Sequence, residues 1–289
     1  MVPRVAAVLL VILPALAVAH PGGGMIAIDA NTVIFGDPVN NVLWRMSKGR
    51  KPEALFTKLH VHWTTRGVDG HIYAESFGEM GGALFQVDMV GGKHVRFAEE
   101  PDLNAPVFAV GKNGELVFEK QGQIVQRTRD GNVTAFRGNG RIAKGDSALG
   151  QVIAYQWAPD GTLYLSDGGN LRRIGTDGVV RLVAKIDGKL LDRQIWNSTG
   201  SSRIWSIAID DRKRIFAALA DNAGQVVRID PGGEQHIVDQ YMDGWRVTAV
   251  AAFADTVFML EISDRSNVGQ RVRVIRGDGK VEIMGQVDS

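Results

Sequence analysis

Two histidines at positions i and i+2, in His60-Val61-His62, form the sharpest local pattern for chemistry in this sequence. On an extended strand such residues point to the same side, at a spacing that can chelate one metal ion. His20 would add an imidazole, and an α-amine too if the chain is cut just before it. His20, His62 and one carboxylate make an economical ligand set for copper or zinc. The plainer alternative is that these histidines are separate polar residues hydrogen-bonded to backbone. A second set, Arg203, Trp205, Trp245 and Arg246, suits a sugar- or anion-binding wall. Tryptophan rings stack on apolar faces, and arginine forks grip carboxylate or phosphate. For each tryptophan alone, packing between neighbouring elements is the competing role. Glu75 and Glu261 are the acidic candidates, because both stand where related segments carry Asp. Cysteine is absent, so there is no thiolate nucleophile and no Cys-based metal site. No Ser/His/Asp order, P-loop or dinucleotide fingerprint occurs.

The elements that must position these residues repeat. Residues 152–183 read as four short β-type runs separated by Pro159-Asp160-Gly161, Asp167-Gly168-Gly169-Asn170 and Thr176-Asp177-Gly178. Each turn offers residues that tolerate positive φ, so the unit is a four-stranded antiparallel meander. Taking the first apolar residue of its second strand as a marker, the unit recurs at Val33, Ile72, Leu116, Leu163, Ile215 and Val257. These markers lie roughly 40 to 50 residues apart, the period of propeller blades. First strands are expected at 25–29, 63–67, 107–111, 154–158, 206–210 and 248–252. Third strands are expected at 41–46, 83–88, 123–128, 171–175, 225–230 and 271–276. Gly49, Gly92, Gly131, Gly178, Gly233 and Gly279 mark the turn into each fourth strand. The expected fold is all-β: a six-bladed β-propeller of four-stranded antiparallel blades, at about 24–58, 59–100, 104–137, 150–186, 203–239 and 245–287. Each blade holds its own four strands, so closure rests on packing between the first and last blades rather than on a swapped strand.

The first 19 residues read as a signal peptide. Arg4 supplies the basic start, 5–18 is an apolar run broken by Pro14, and Ala17-Val18-Ala19 is a small-residue cleavage site. Residues 20–289 then form a single propeller domain, secreted or periplasmic, with no membrane span in the mature chain. The formal charge of +1 argues against a nucleic-acid partner.

Ala154-Tyr155-Gln156-Trp157-Ala158-Pro159-Asp160-Gly161-Thr162-Leu163-Tyr164-Leu165-Ser166-Asp167, followed by Asn170-Leu171-Arg172-Arg173-Ile174, resembles an NHL repeat. Ile26-Ala27-Ile28-Asp29 with Phe35-Gly36-Asp37 and Asn40-Asn41-Val42 resembles it too, as does Ile207-Ala208-Ile209-Asp210 with Val226-Val227-Arg228-Ile229. The wider group resembled includes the SMP-30/gluconolactonase-like propellers and the peptidyl-amidating lyases. The resemblance covers about residues 24–286. For an SMP-30-like lactonase it implies calcium held by a Glu/Asn/Asn/Asp-like set at the blade mouths. The matching positions here read His62, Pro106, Ile153, Trp205 and Val247, a departure from that set. The amidating-lyase pattern needs histidines from three blades, and blades three, four and six offer none at those positions. The resemblance also implies that Asp37 and Asp167 cap the turns between second and third strands.

In such a meander the turns between strands two and three share one face with the blade-to-blade connections. The long insertions 137–150, 186–203 and 239–245 are expected on that face, where loops on a rigid scaffold carry binding. The expected function is binding of a small molecule, glycan or protein there. The alternative is a metal-dependent hydrolase, lyase or oxidase around His20 and His62, using copper, zinc or calcium.

Overall fold

The computed structural model describes residues 24–76, 83–88, 93–99 (main chain), 108–150, 152–186, 203–219, 224–239, 244–263 and 269–287. Residues 1–19, read above as a signal peptide, His20 and Pro106 lie outside the described residues.

The chain forms six four-stranded antiparallel sheets, each from consecutive strands in simple meander order. Blade one holds Met25–Asp29, Thr32–Asp37, Val42–Ser47 and Glu53–Thr57. Blade two holds Val61–Arg66, Ile72–Ser76, Ala83–Asp88 and Lys93–Glu99; blade three holds Ala109–Val110, Leu116–Lys120, Gln123–Arg127 and Val133–Ala135. Blade four holds Val152–Trp157, Leu163–Asp167, Asn170–Ile174 and Val180–Lys185. Blade five holds Ile204–Ile209, Ile215–Leu219, Gln225–Ile229 and Gln235–Asp239; blade six holds Trp245–Phe253, Thr256–Ser263, Gln270–Ile275 and Val281–Val287. The six-bladed all-β propeller expected from the sequence is therefore the fold. Gly49, Gly131, Gly178, Gly233 and Gly279 all adopt positive φ in the turns between third and fourth strands, which is why glycine recurs there.

Alternation along each strand sends side chains to both sheet faces, and both faces are buried against neighbouring blades. Blades one and six share a cluster that includes Val33, Phe35, Met46, Phe258, Leu260 and Met284. This packing closes the ring, as expected, without a shared strand. Arg276 adds a hydrogen bond to the Ala30 carbonyl, and Lys48 pairs with Glu282 at 2.8 Å.

Two irregularities recur with the blades. In the outermost strands of five blades one residue is skipped by the ladder: Leu55, Phe97, Val183, Val238 and Met284. In the first strands of four blades His62, Ile153, Trp205 and Thr248 are skipped at one register. Both are β-bulges, which bend the strand and re-aim the extra side chain. The second set corrects two expectations. First strands in blades two, four and five begin two residues earlier than their alternation suggests, because the bulge breaks the period-2 pattern. The blade-six residue at the mouth position is Thr248, not Val247.

The insertion 137–150 begins away from the expected face and reaches it only at its end, where Ser147 and Gly150 meet Arg172 and Asp167. The Arg137 guanidinium donates to the Gly175 and Gly161 carbonyls at 2.8 and 2.7 Å, at turns on the opposite face of blade four. It also lies over the Phe136 and Trp157 rings. The segment then runs beside the outer strand of blade four, where Ile142 bridges Val180 in parallel. The Ala143 N–H donates to Val180 and the Val180 N–H to Arg141, both at 2.8 Å. An outer strand left bare would present unpaired N–H and C=O groups; this segment satisfies part of that edge. Most of the other two insertions lies outside the described residues. Among the described residues no helix is long and apolar enough to cross a membrane.

Candidate functional site

First strands start on the face that also carries the turns between second and third strands. At that end of the channel the bulge residues His62, Ile153, Trp205 and Thr248 occupy equivalent positions around the ring. Each is skipped by the ladder, which re-aims its side chain relative to its neighbours; Ile153 is half-buried, whereas Thr248 is fully buried. His62 and Trp205 are half-buried, and the Trp205 indole N–H is buried without a partner among the described residues. These four described residues include no carboxylate and no Asn, the oxygen donors on which calcium sites are usually built.

His60 and His62 do come together. Their ring centroids are 4.5 Å apart, edge to face. His60 is also committed elsewhere: its Nδ1 lies 2.7 Å from Asn41 Oδ1, in the turn of blade one. Because an amide oxygen only accepts, Nδ1 carries the proton and Nε2 is the nitrogen left for a metal. His20, the third ligand of the expected set, lies outside the described residues. Among the described residues the one cluster of three metal-capable groups is Asp230, Glu234 and His236, far out on blade five. Arg228 already pairs with Asp230 at 2.9 Å there, which disfavours a cation.

The two glutamates separate sharply. Glu261 pairs with Val247, the register that Asp167 holds opposite Val152, so it is the true counterpart of that Asp. It is fully buried and grips Arg271 Nε at 2.5 Å and Arg273 Nη2 at 2.7 Å. Arg273 continues to Asp239 of blade five, and Arg271 stacks on the Trp245 ring at 4.1 Å. This network fastens blade six to blade five, and it takes up one face of Trp245. Glu75 instead pairs with Trp63, one residue short of that register; Ser76 holds the position opposite Val61. Glu75 therefore points to the other sheet face, on the same side as Tyr73, which packs with Phe108 and Val110 of blade three. It is buried, and its Oε2 has no partner among the described residues. Burial alone pushes its carboxyl up to about 9.

Asp37 caps its turn as expected, accepting from the Val39 and Asn40 N–H groups at 3.1 Å. Asp167 does something different. It accepts from the Gly150 N–H and pairs with Arg172 at 2.7 Å. Arg172 is fully buried and also donates to the Ser147 carbonyl and hydroxyl. Sequence reasoning missed this clamp. Its one available signal was an arginine at an inward position of the otherwise regular strand Asn170–Ile174.

Arg203 is exposed just before the first strand of blade five, and Arg246 is half-buried at the start of blade six. Both border the same mouth as Trp205.

No family model matches the sequence, and no curated protein matches it. Solved structures do match. Virginiamycin B lyase from Staphylococcus aureus superposes with a TM-score of 0.54 at 13% identity, over 93% of this chain and 85% of that one. A gluconolactonase from Xanthomonas campestris gives 0.55 at 11% identity, over 83% and 84%. The extracellular domain of BT4673 from Bacteroides thetaiotaomicron gives 0.50 at 13%, over 90% of this chain and 32% of that one. At these identities the likeness establishes the chain as a six-bladed propeller with enzyme-like and extracellular neighbours in shape, and nothing finer.

Proposed function

We propose that this protein is an exported propeller, of NHL type, that binds a small polar ligand at the mouth ringed by His62, Trp205 and Thr248. The observation that carries the reading is the β-bulge repeated at one register, which places a non-repeating residue at the same mouth position in each of four blades. A half-buried indole with its N–H unpartnered suits stacking on a sugar ring. Arg203 and Arg246 at the same rim add the charge for an acidic group, which favours acidic sugars over neutral ones. Titration calorimetry with D-glucuronate and D-glucose tests this. The expected result is tighter binding of glucuronate, weakened at least about tenfold by Trp205→Ala and by Arg246→Ala while the melting temperature holds. Equal affinity in parent and both variants would overturn it.

A second reading, an enzyme, is favoured by Glu75, the neutral carboxyl buried on the face of blade two that packs against blade three. A buried carboxyl that stays protonated at neutral pH is the usual form of a general acid. The neighbours in shape include a lyase and a gluconolactonase, which supports testing lactone opening first. In this reading Glu75→Gln abolishes turnover of D-glucono-1,5-lactone without unfolding the chain. If a metal takes part, His62 and the Nε2 of His60 are its described nitrogen donors, with His20 completing the set. Metal analysis of the processed protein, with His62→Ala beside it, decides that point.

A further inference from the structure

We propose that the half of the central channel nearer the turns between first and second strands is a separate binding site for one small oxyanion. A cavity of about 100 Å³ lies there, walled by the first strands of blades one, two, four, five and six. None of the mouth residues His62, Ile153, Trp205 or Thr248 lines it. Blade three is absent from its wall, and Trp63 packs against Ala109 of that blade.

The chemistry of the lining is one-sided. It contains no Asp and no Glu, and Arg66 is its one charged residue. No ion pair or hydrogen bond engages the Arg66 side chain among the described residues. The surrounding protein removes enough water from the guanidinium to lower its pKa by desolvation alone, with no carboxylate offsetting the loss. Beside it the wall carries Thr64, Thr65, Gln156 and Trp63. The Thr64 hydroxyl and the Trp63 indole N–H are buried and unpartnered among the described residues. An indole N–H only donates, and a guanidinium only donates. First strands are also the inner edges of their sheets, so alternate main-chain groups point into the channel. Ser206 satisfies one such pair, accepting from the Val250 N–H at 3.1 Å. Arg66 is itself exposed, so it stands at the rim of the cavity; a cation without a carboxylate partner beside buried, unpartnered donors favours an anion over a cation or an apolar ligand. The volume accommodates one ion of phosphate or acetate size together with several waters.

The test uses the full-length processed protein dialysed into chloride buffer. Titration calorimetry with inorganic phosphate, sulfate and acetate is expected to give one saturable site for at least one of them. Arg66→Gln should weaken that binding at least about tenfold, and Arg66→Lys should restore part of it. Trp205→Ala should leave it unchanged, because the mouth is a different site. No saturable binding in the parent, equal binding by Arg66→Gln, or loss on Trp205→Ala would each overturn the proposal. Loss of glucuronate binding alone would count against the mouth and not against this site.

Discussion

Glu75 is an acid that the fold keeps neutral. In the unfolded chain its carboxyl releases a proton near 4.5, and in the folded chain near 9. Between those values the native state holds a proton that the unfolded state lacks. The stability contributed by this group is therefore complete below pH 4.5 and is lost as pH rises toward 9. The slope approaches about 1.4 kcal/mol per pH unit in that window. Glu75→Gln mimics the neutral acid, so its urea midpoints should vary less between pH 5 and 8 than those of the parent; parallel curves would contradict the assignment. Glu261 is tested by its contacts instead. Its carboxylate is held between Arg271 and Arg273, and Glu261→Gln leaves the buried Arg271 without a carboxylate and Arg273 with Asp239 alone. The expected loss is about 3–5 kcal/mol in denaturant unfolding, against less than about 1 kcal/mol for breaking the exposed Arg45–Glu53 pair. Both glutamates looked alike in the sequence. Register separates them, and a shift of one residue along a strand changes the sheet face. That shift is invisible when each acid is counted only as lying near the end of a strand.

At the scale of the element, third strands and their glycine turns were legible because period-2 alternation runs unbroken up to a residue that must take positive φ. The starts of the first strands were not, because His62, Ile153 and Trp205 interrupt the alternation where the mouth begins. The first part of the segment 137–150 was misplaced for another reason. Loop length shows that an insertion exists, but not which surface it lies on, and the Arg137 contacts that settle it span blades. Close approach between blades gives a further test. A Cβ built on Gly36 would sit 2.6 Å from the Val61 carbonyl oxygen, in main chain that cannot swing aside. Gly36→Ala should cost more than about 2 kcal/mol. At Gly70 φ is +83° and nothing lies within 4 Å, so Gly70→Ala should cost only about 1 kcal/mol of backbone strain. Equal denaturation midpoints for the two variants would refute the ranking.

For the whole molecule, the ring closes by packing, and its seam is a place to measure that. Gly285 of blade six approaches Met46 of blade one, whose Sδ would lie 2.8 Å from an added Cβ. Gly285→Val should force the seam apart and cost about 1–3 kcal/mol, read as a lowered guanidinium midpoint; an unchanged midpoint would mean the seam is slack. The repeated bulges carry a different consequence for the molecule. A residue skipped by the ladder holds no strand together through main-chain bonds, and His62, Ile153 and Trp205 are only half-buried. These three positions form a panel whose chemistry can be rewritten one residue at a time while the ladders stay as they are. Selection acting on recognition at these sites meets little resistance from selection acting on folding, so a single ancestral ring can diverge in what it accepts without first becoming fragile.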